Sequence, residues 1–128
     1  MSWRARLLIW IAIAFLFLLP SSAFLSERLI GAPDIDVWNH AWGYWFVFDS
    51  LINGRLPIET NLIGAPNGGD LYFIDTPGAV ASFIATGLFG PAVGYNLTLL
   101  MRMALSGLAA QLLTEEWSEA GPHSWIAG

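Results

Sequence analysis

The chain has no cysteine and no lysine. The first absence excludes disulfide scaffolds, thiol nucleophiles and zinc–thiolate centres together. The second leaves five arginines against ten carboxylates, a net charge of −5. The arginines are spread thinly, so nucleic acid has no electrostatic footprint here and is excluded as a partner. Charge of either sign is scarce, at 12% of residues, where a soluble domain carries about a quarter. Internal repeats and low-complexity tracts are also missing. Apolar residues fill the space: 55% of the chain is hydrophobic and 14% aromatic, including seven tryptophans. The length of 128 residues suits one domain. The composition suits a membrane.

Arg4 and Arg6 precede an unbroken apolar run, Leu7 to Leu19. Taken on to Leu25, the segment reaches the length needed to cross a hydrocarbon core of ~30 Å. Residues 1–25 are therefore expected to form a first transmembrane helix, with the N-terminus cytoplasmic by the positive-inside rule. A cleaved signal peptide fits the same residues, with Ser21-Ser22-Ala23 as its small-residue site. On this segment alone the two are evenly matched. A second long apolar stretch downstream favours the uncleaved helix.

The stretch "GAPDIDVWNHAWGYWF", residues 31–46, opens a polar region, 26–76, expected as an outer, periplasmic loop. Either Asp34 or Asp36 can cap a helix over about 37–53. Trp38, Trp42, Trp45 and Phe46 recur there at helical spacing, a stripe suited to a membrane surface. Asn53-Gly54 and then Pro57 stop it. Residues 57–76 read as irregular, with "APNGGD" as a dense turn signal and "LYFI" as a short extended piece. Asp75-Thr76-Pro77 starts a further helix with a capping side chain and an early proline. Residues 77–90 are expected to form an interfacial or re-entrant helix, broken at Gly90-Pro91. Residues 91–113 are the expected second transmembrane helix, with Gly94, Ala104, Ser106, Gly107 and Ala110 offering small packing faces. The other register makes 78–100 the span and puts Arg102 at its inner boundary. Residues 114–128 form an inner loop and the start of a third helix. The expected fold class is an all-α membrane protein: two spanning helices joined by an outer loop bearing an amphipathic aromatic helix, as a fragment of a larger helical bundle.

The order of these pieces carries a resemblance. A first membrane helix is followed by the acidic "PDID" and an aromatic helix ending "LINGRLP". Then come "NLIGAPNGGDLYF", the apolar "GPAVGYNLTLL" and "LSGLAAQLL", and "SWIAG". Together they resemble the N-terminal end of the GT-C superfamily of multi-spanning glycosyltransferases. The likeness covers nearly the whole chain, but only the first part of such an enzyme, which has eight or more membrane helices. It implies a polyprenyl-phosphate sugar donor, a bacterial inner-membrane location and membrane lipid around the helices. It also implies further helices, from the same or a partner chain, without which the segment is inactive. In that family an aspartate just past the first helix acts as catalytic base or metal ligand, and Asp34 and Asp36 occupy that place. A divalent cation, Mg²⁺ or Mn²⁺, is the implied cofactor.

The chemistry of the residues is compatible with those roles. A carboxylate near the headgroups can deprotonate or orient an acceptor, and carboxylates with a divalent cation can stabilise a phosphate leaving group. Asp34 and Asp36, two apart, point to one side of an extended segment. The plain alternative is that one caps the helix and the other is solvated. His40, one turn after Asp36, is either its hydrogen-bond partner or a packed interfacial residue. Trp42 and its neighbours line an acceptor or polyprenyl groove, or simply anchor in the interface. Arg102 either contacts a lipid phosphate or flanks the inner boundary. Asp70 and Asp75 read as turn and cap residues. "Asn96-Leu97-Thr98" matches a glycosylation pattern but lies in an apolar helix.

Two other classes of function fit parts of the sequence. A small non-catalytic two-span protein would bind a partner through its outer aromatic helix. A secreted carbohydrate-binding protein would use the acidic, tryptophan-rich face, but 92–113 argues against secretion.

Overall fold

A computed structural model describes residues 1–32, 36–64, 66–70 and 75–118. Among these are four α-helices: α1 Trp3–Phe17, α2 Val37–Ile52, α3 Thr76–Phe89 and α4 Pro91–Ser118. A 3-10 turn spans Ser21–Phe24, and two short strands, β1 Glu59–Thr60 and β2 Gly69–Asp70, complete the set. The chain divides into two compact units: residues 1–23 with the chain from Leu99 onward, and Phe24–Thr98. α4 contributes its first eight residues to the second unit and the rest to the first.

The first unit is a pair of helices. Ser2 caps α1 by accepting from the Ala5 N–H. The helix ends at Phe17, short of the expected end at Leu25. Its 15 residues rise about 22 Å, less than the ~30 Å of a hydrocarbon core. The helix ends ahead of Pro20, which has no backbone N–H with which to continue it. α4 is the one helix among the described residues that is long and apolar enough to cross a membrane, over Pro91–Trp117 with mean hydropathy 1.4. Of the expected pair of spanning helices, one thus meets the length and hydropathy of a span among the described residues, and the second is not confirmed.

α1 runs antiparallel to the second part of α4. Trp10 packs on Ala104 and Leu108, with Leu7 and Ile11 against them. Gly107 lies under the indole so closely that a Cβ there would sit 2.4 Å from Trp10 Cε3. Trp10 Nε1 donates to Gln111 Oε1 at 3.0 Å, and Gln111 Nε2 donates to Glu115 Oε1 at 3.1 Å. Arg6 forms an ion pair with the other oxygen of Glu115. This polar relay runs through an otherwise apolar pair, which gives the two helices one register.

In the second unit α2 packs against α3. Phe48 meets Phe83 at 5.0 Å between ring centres and lies over Gly87, where a Cβ would come within 2.8 Å of the Phe48 ring. α2 closes with Arg55 N–H bonded to Ser50 O at 2.8 Å and Gly54 N–H to Leu51 O at 3.1 Å, while Gly54 takes φ +68°. That pair of bonds is a Schellman cap, and it needs a residue at ease in the left-handed region. Asp75 starts α3, its Oδ1 accepting from the Gly78 N–H at 3.1 Å. The stretch 57–76, expected to be irregular, contains an antiparallel ladder pairing Glu59 with Asp70 and Thr60 with Gly69. Asp70 therefore sits on a strand. "LYFI" (71–74) and the start of a third helix lie outside the described residues.

Buried and exposed faces both carry large apolar residues: Trp10, Tyr44, Phe46, Val47, Leu100 and Leu108 are buried, and Gln111, Asn96, Ser22, Ser50 and Ser82 are fully enclosed with them. The exposed set includes Leu8, Ile13, Leu16 and Phe17 on α1, Val80, Ile84 and Leu88 on α3, and Leu105, Leu112 and Leu113 on α4. α3 carries both faces on one helix. Val80, Ile84 and Leu88 are one turn apart on its outer face, whereas Gly78, Ala79, Ser82 and Thr86 are its buried residues. On α3, then, small and polar residues lie inside and large apolar ones outside.

Candidate functional site

Asp34 lies outside the described residues. Asp36 stands at the N-cap of α2, exposed, and its carboxylate accepts from no backbone N–H of the first turn. Its Oδ1 accepts from Asn39 Nδ2 at 2.8 Å. The expected bond between Asp36 and His40 is not formed. The amide of Asn39, three residues on, occupies the carboxylate, and His40 contributes only its main-chain N–H, to Asp36 O at 3.1 Å. His40 itself is half-buried.

The aromatic stripe separates into layers. Trp42 stacks on Phe46 at 5.4 Å with 12° between planes, and Trp45 tilts against Trp42 at 6.4 Å. Phe46 and Tyr44 are buried, Trp42 and Trp45 are half-buried, and Trp38 is 64% exposed. Packing against the unit's interior therefore claims part of the stripe, and Trp38 is the member most open to an interface. Arg102 belongs to the other unit, on the exposed side of α4 eleven residues past Pro91.

Residues to which the sequence assigned no role in the site hold the chain just before the acidic segment and the start of α3. Asn96, wholly buried in α4, accepts from the Ile30 N–H at 2.8 Å and donates to Leu25 O at 2.8 Å and Arg28 O at 2.6 Å. The neighbouring Tyr95 donates its hydroxyl to Ile30 O at 3.3 Å. Tyr95 also packs against Tyr44 at 5.9 Å, and the Tyr44 hydroxyl donates to Asp75 Oδ2 at 2.9 Å. Asp75 thus caps α3 with one oxygen and holds α2 with the other. The one signal for Asn96 in the sequence was a polar residue inside "GYNLTLL".

A divalent cation takes about six oxygen ligands. Among the described residues no three His, Cys, Asp or Glu side chains gather into such a group. What the described residues do provide is a carboxylate held at a helix start beside an aromatic layer.

No protein-family model matches this chain, and comparison with curated proteins and with solved structures also finds no match.

Proposed function

We propose that the chain is the N-terminal segment of an integral, multi-pass membrane glycosyltransferase that moves a sugar from a polyprenyl phosphate. The membrane part of this reading is supported by the large apolar side chains turned outward, and the sugar-transfer part by the order of sequence pieces that resembles the GT-C superfamily. Leucine, isoleucine and phenylalanine face outward on α1, α3 and α4, while Gln111, Asn96, Ser82 and Thr86 are enclosed. In water that arrangement forfeits hydrophobic burial, whereas in lipid it costs nothing and satisfies the polar groups internally. α4 is the candidate span among the described residues, and in this reading the Arg4 and Arg6 end of the chain is cytoplasmic by the positive-inside rule and the loop 26–76 is periplasmic.

In this reading the loop carboxylates take or orient the acceptor's proton as its oxygen or nitrogen bonds to the sugar carbon and the bond from that carbon to the donor oxygen breaks, releasing polyprenyl phosphate. Asp34 and Asp36 are the candidates for that role. Trp42 and His40 border the acceptor. Arg102, exposed on α4, is the residue assigned to a lipid phosphate in this reading. The remaining helices come from the rest of the chain or a partner, and the segment alone is inactive.

The test uses inner membranes carrying the native gene product and radiolabelled polyprenyl-phosphate sugars. Transfer that falls at least tenfold in Asp34→Asn or Asp36→Asn supports the proposal. Wild-type rates in both variants would remove the catalytic role. One observation favours the alternative, a non-catalytic membrane protein that binds a partner through α2: Trp38, Leu51 and Ile52 are all exposed on that helix. Loss of a co-purifying subunit in Trp38→Ala, with no transfer in any variant, would support it.

A further inference from the structure

Asn96 forms more hydrogen bonds to the loop before α2 than any helix of its own requires. A buried asparagine inside a helix offers the helix little, yet both amide hydrogens and the carbonyl oxygen of Asn96 are engaged by one loop. The orientation of the amide is set by its partners. The Ile30 N–H can meet only Oδ1, and the Leu25 and Arg28 carbonyls can meet only Nδ2. Ile30 is gripped twice, since Asn96 accepts from its N–H and Tyr95 donates to its C=O. The next residue, Gly31, has φ +140° and packs on Val37 so tightly that a Cβ would lie 2.3 Å from Val37 Cγ2. Val37 is the first residue of α2, and Asp36 immediately precedes it. A continuous path of contacts therefore runs from two consecutive residues of α4, through Ile30 and Gly31, to the helix start that carries Asp36.

We propose that Asn96 and Tyr95 are positioning residues for the acidic loop, setting where Asp36 stands at the start of α2. The proposal rests on the reading that this loop carries the carboxylate that handles the acceptor. It also accounts for the "Asn96-Leu97-Thr98" pattern. With both Nδ2 hydrogens committed and the side chain 0% exposed, Asn96 is a clasp and no glycan acceptor.

These 128 residues contain no cysteine, and any cysteine elsewhere in the protein is first replaced by serine. Single cysteines in place of Ala32, Asp36 or Leu51 are spin-labelled in the full chain in membranes. Asn96→Leu keeps the size and removes all three bonds, and it should turn the spectra at 32 and 36 from immobilised to mobile while that at 51 is unchanged. Tyr95→Phe should produce a smaller change at the same two sites. Unchanged spectra at 32 and 36 in Asn96→Leu would overturn the proposal, and so would equal loosening at 51. If Asn96→Leu does not accumulate, Tyr95→Phe decides by the same comparison. No sugar is transferred in this experiment, so it can fail while the transferase reading stands. Should transfer prove measurable in the native product, Asn96→Leu should lower kcat and leave the donor KM unchanged.

Discussion

Gly107 is the position at which the packing of α1 on α4 is most exactingly set. Adding one methyl group there places a carbon 2.4 Å from Trp10 Cε3 and 2.6 Å from Cδ2, inside any tolerable contact. The indole must move, and its Nε1 then leaves Gln111 Oε1, now 3.0 Å away. Overpacking of this kind costs about 1–3 kcal/mol, and a lost buried hydrogen bond adds about 1 kcal/mol. Against this, alanine gains about 1 kcal/mol over glycine within a helix. Gly107→Ala is therefore expected to destabilise by about 1–3 kcal/mol, the balance of those three terms. Unfolding in mixed micelles by added SDS, followed by circular dichroism, measures it. A double-mutant cycle isolates the cause, because in a Trp10→Leu background the same Gly107→Ala change should be neutral or stabilising. A neutral Gly107→Ala in the wild-type background, or an equal loss in both backgrounds, would refute the packing described.

Other expectations follow from single contacts. Asp75→Ala removes the cap of α3 and should cost about 1 kcal/mol, with Tyr44→Phe costing about 0.5–1.5 kcal/mol through the bond to the same carboxylate. A result in which Asp75→Ala is silent in the micelle titration would remove that carboxylate's double role. Gly31→Ala must enter a positive-φ conformation and displace Val37, so lower stability and altered mobility at position 32 are expected, and wild-type behaviour in both would contradict the contact. Leu105→Arg puts a charge on the outward face of α4 and should weaken insertion by about 2.5–3.5 kcal/mol. Unchanged insertion in a glycosylation-mapping assay would show that this face does not meet lipid.

The helical, apolar character of the chain was legible because it rests on composition and local pattern. Asp75 ahead of Thr76-Pro77 announced a helix start, and its carboxylate does cap α3. The end of α1 was misjudged because the apolar run was weighed above Pro20, which has no backbone N–H with which to continue a helix. The ladder of Glu59–Thr60 with Gly69–Asp70 is two residues long and carries no period to detect. Asn96 was passed over for a different reason. Its partners lie 66 to 71 residues away in sequence, so nothing near it shows that a polar residue there would be satisfied. Of the candidate site, the aromatic layer was visible in the spacing. The engagement of Asp36 by Asn39 in place of His40 was decided by geometry at the helix start.

The central claim is that the apolar faces turned outward meet lipid. One cysteine placed at Leu105, on the exposed side of α4, and another at Leu56, in the loop after α2, provide the comparison. Both are treated in native membranes with a water-soluble maleimide. The account predicts rapid labelling at 56 and none at 105 until detergent is added. Equal labelling at both positions in intact membranes would contradict it.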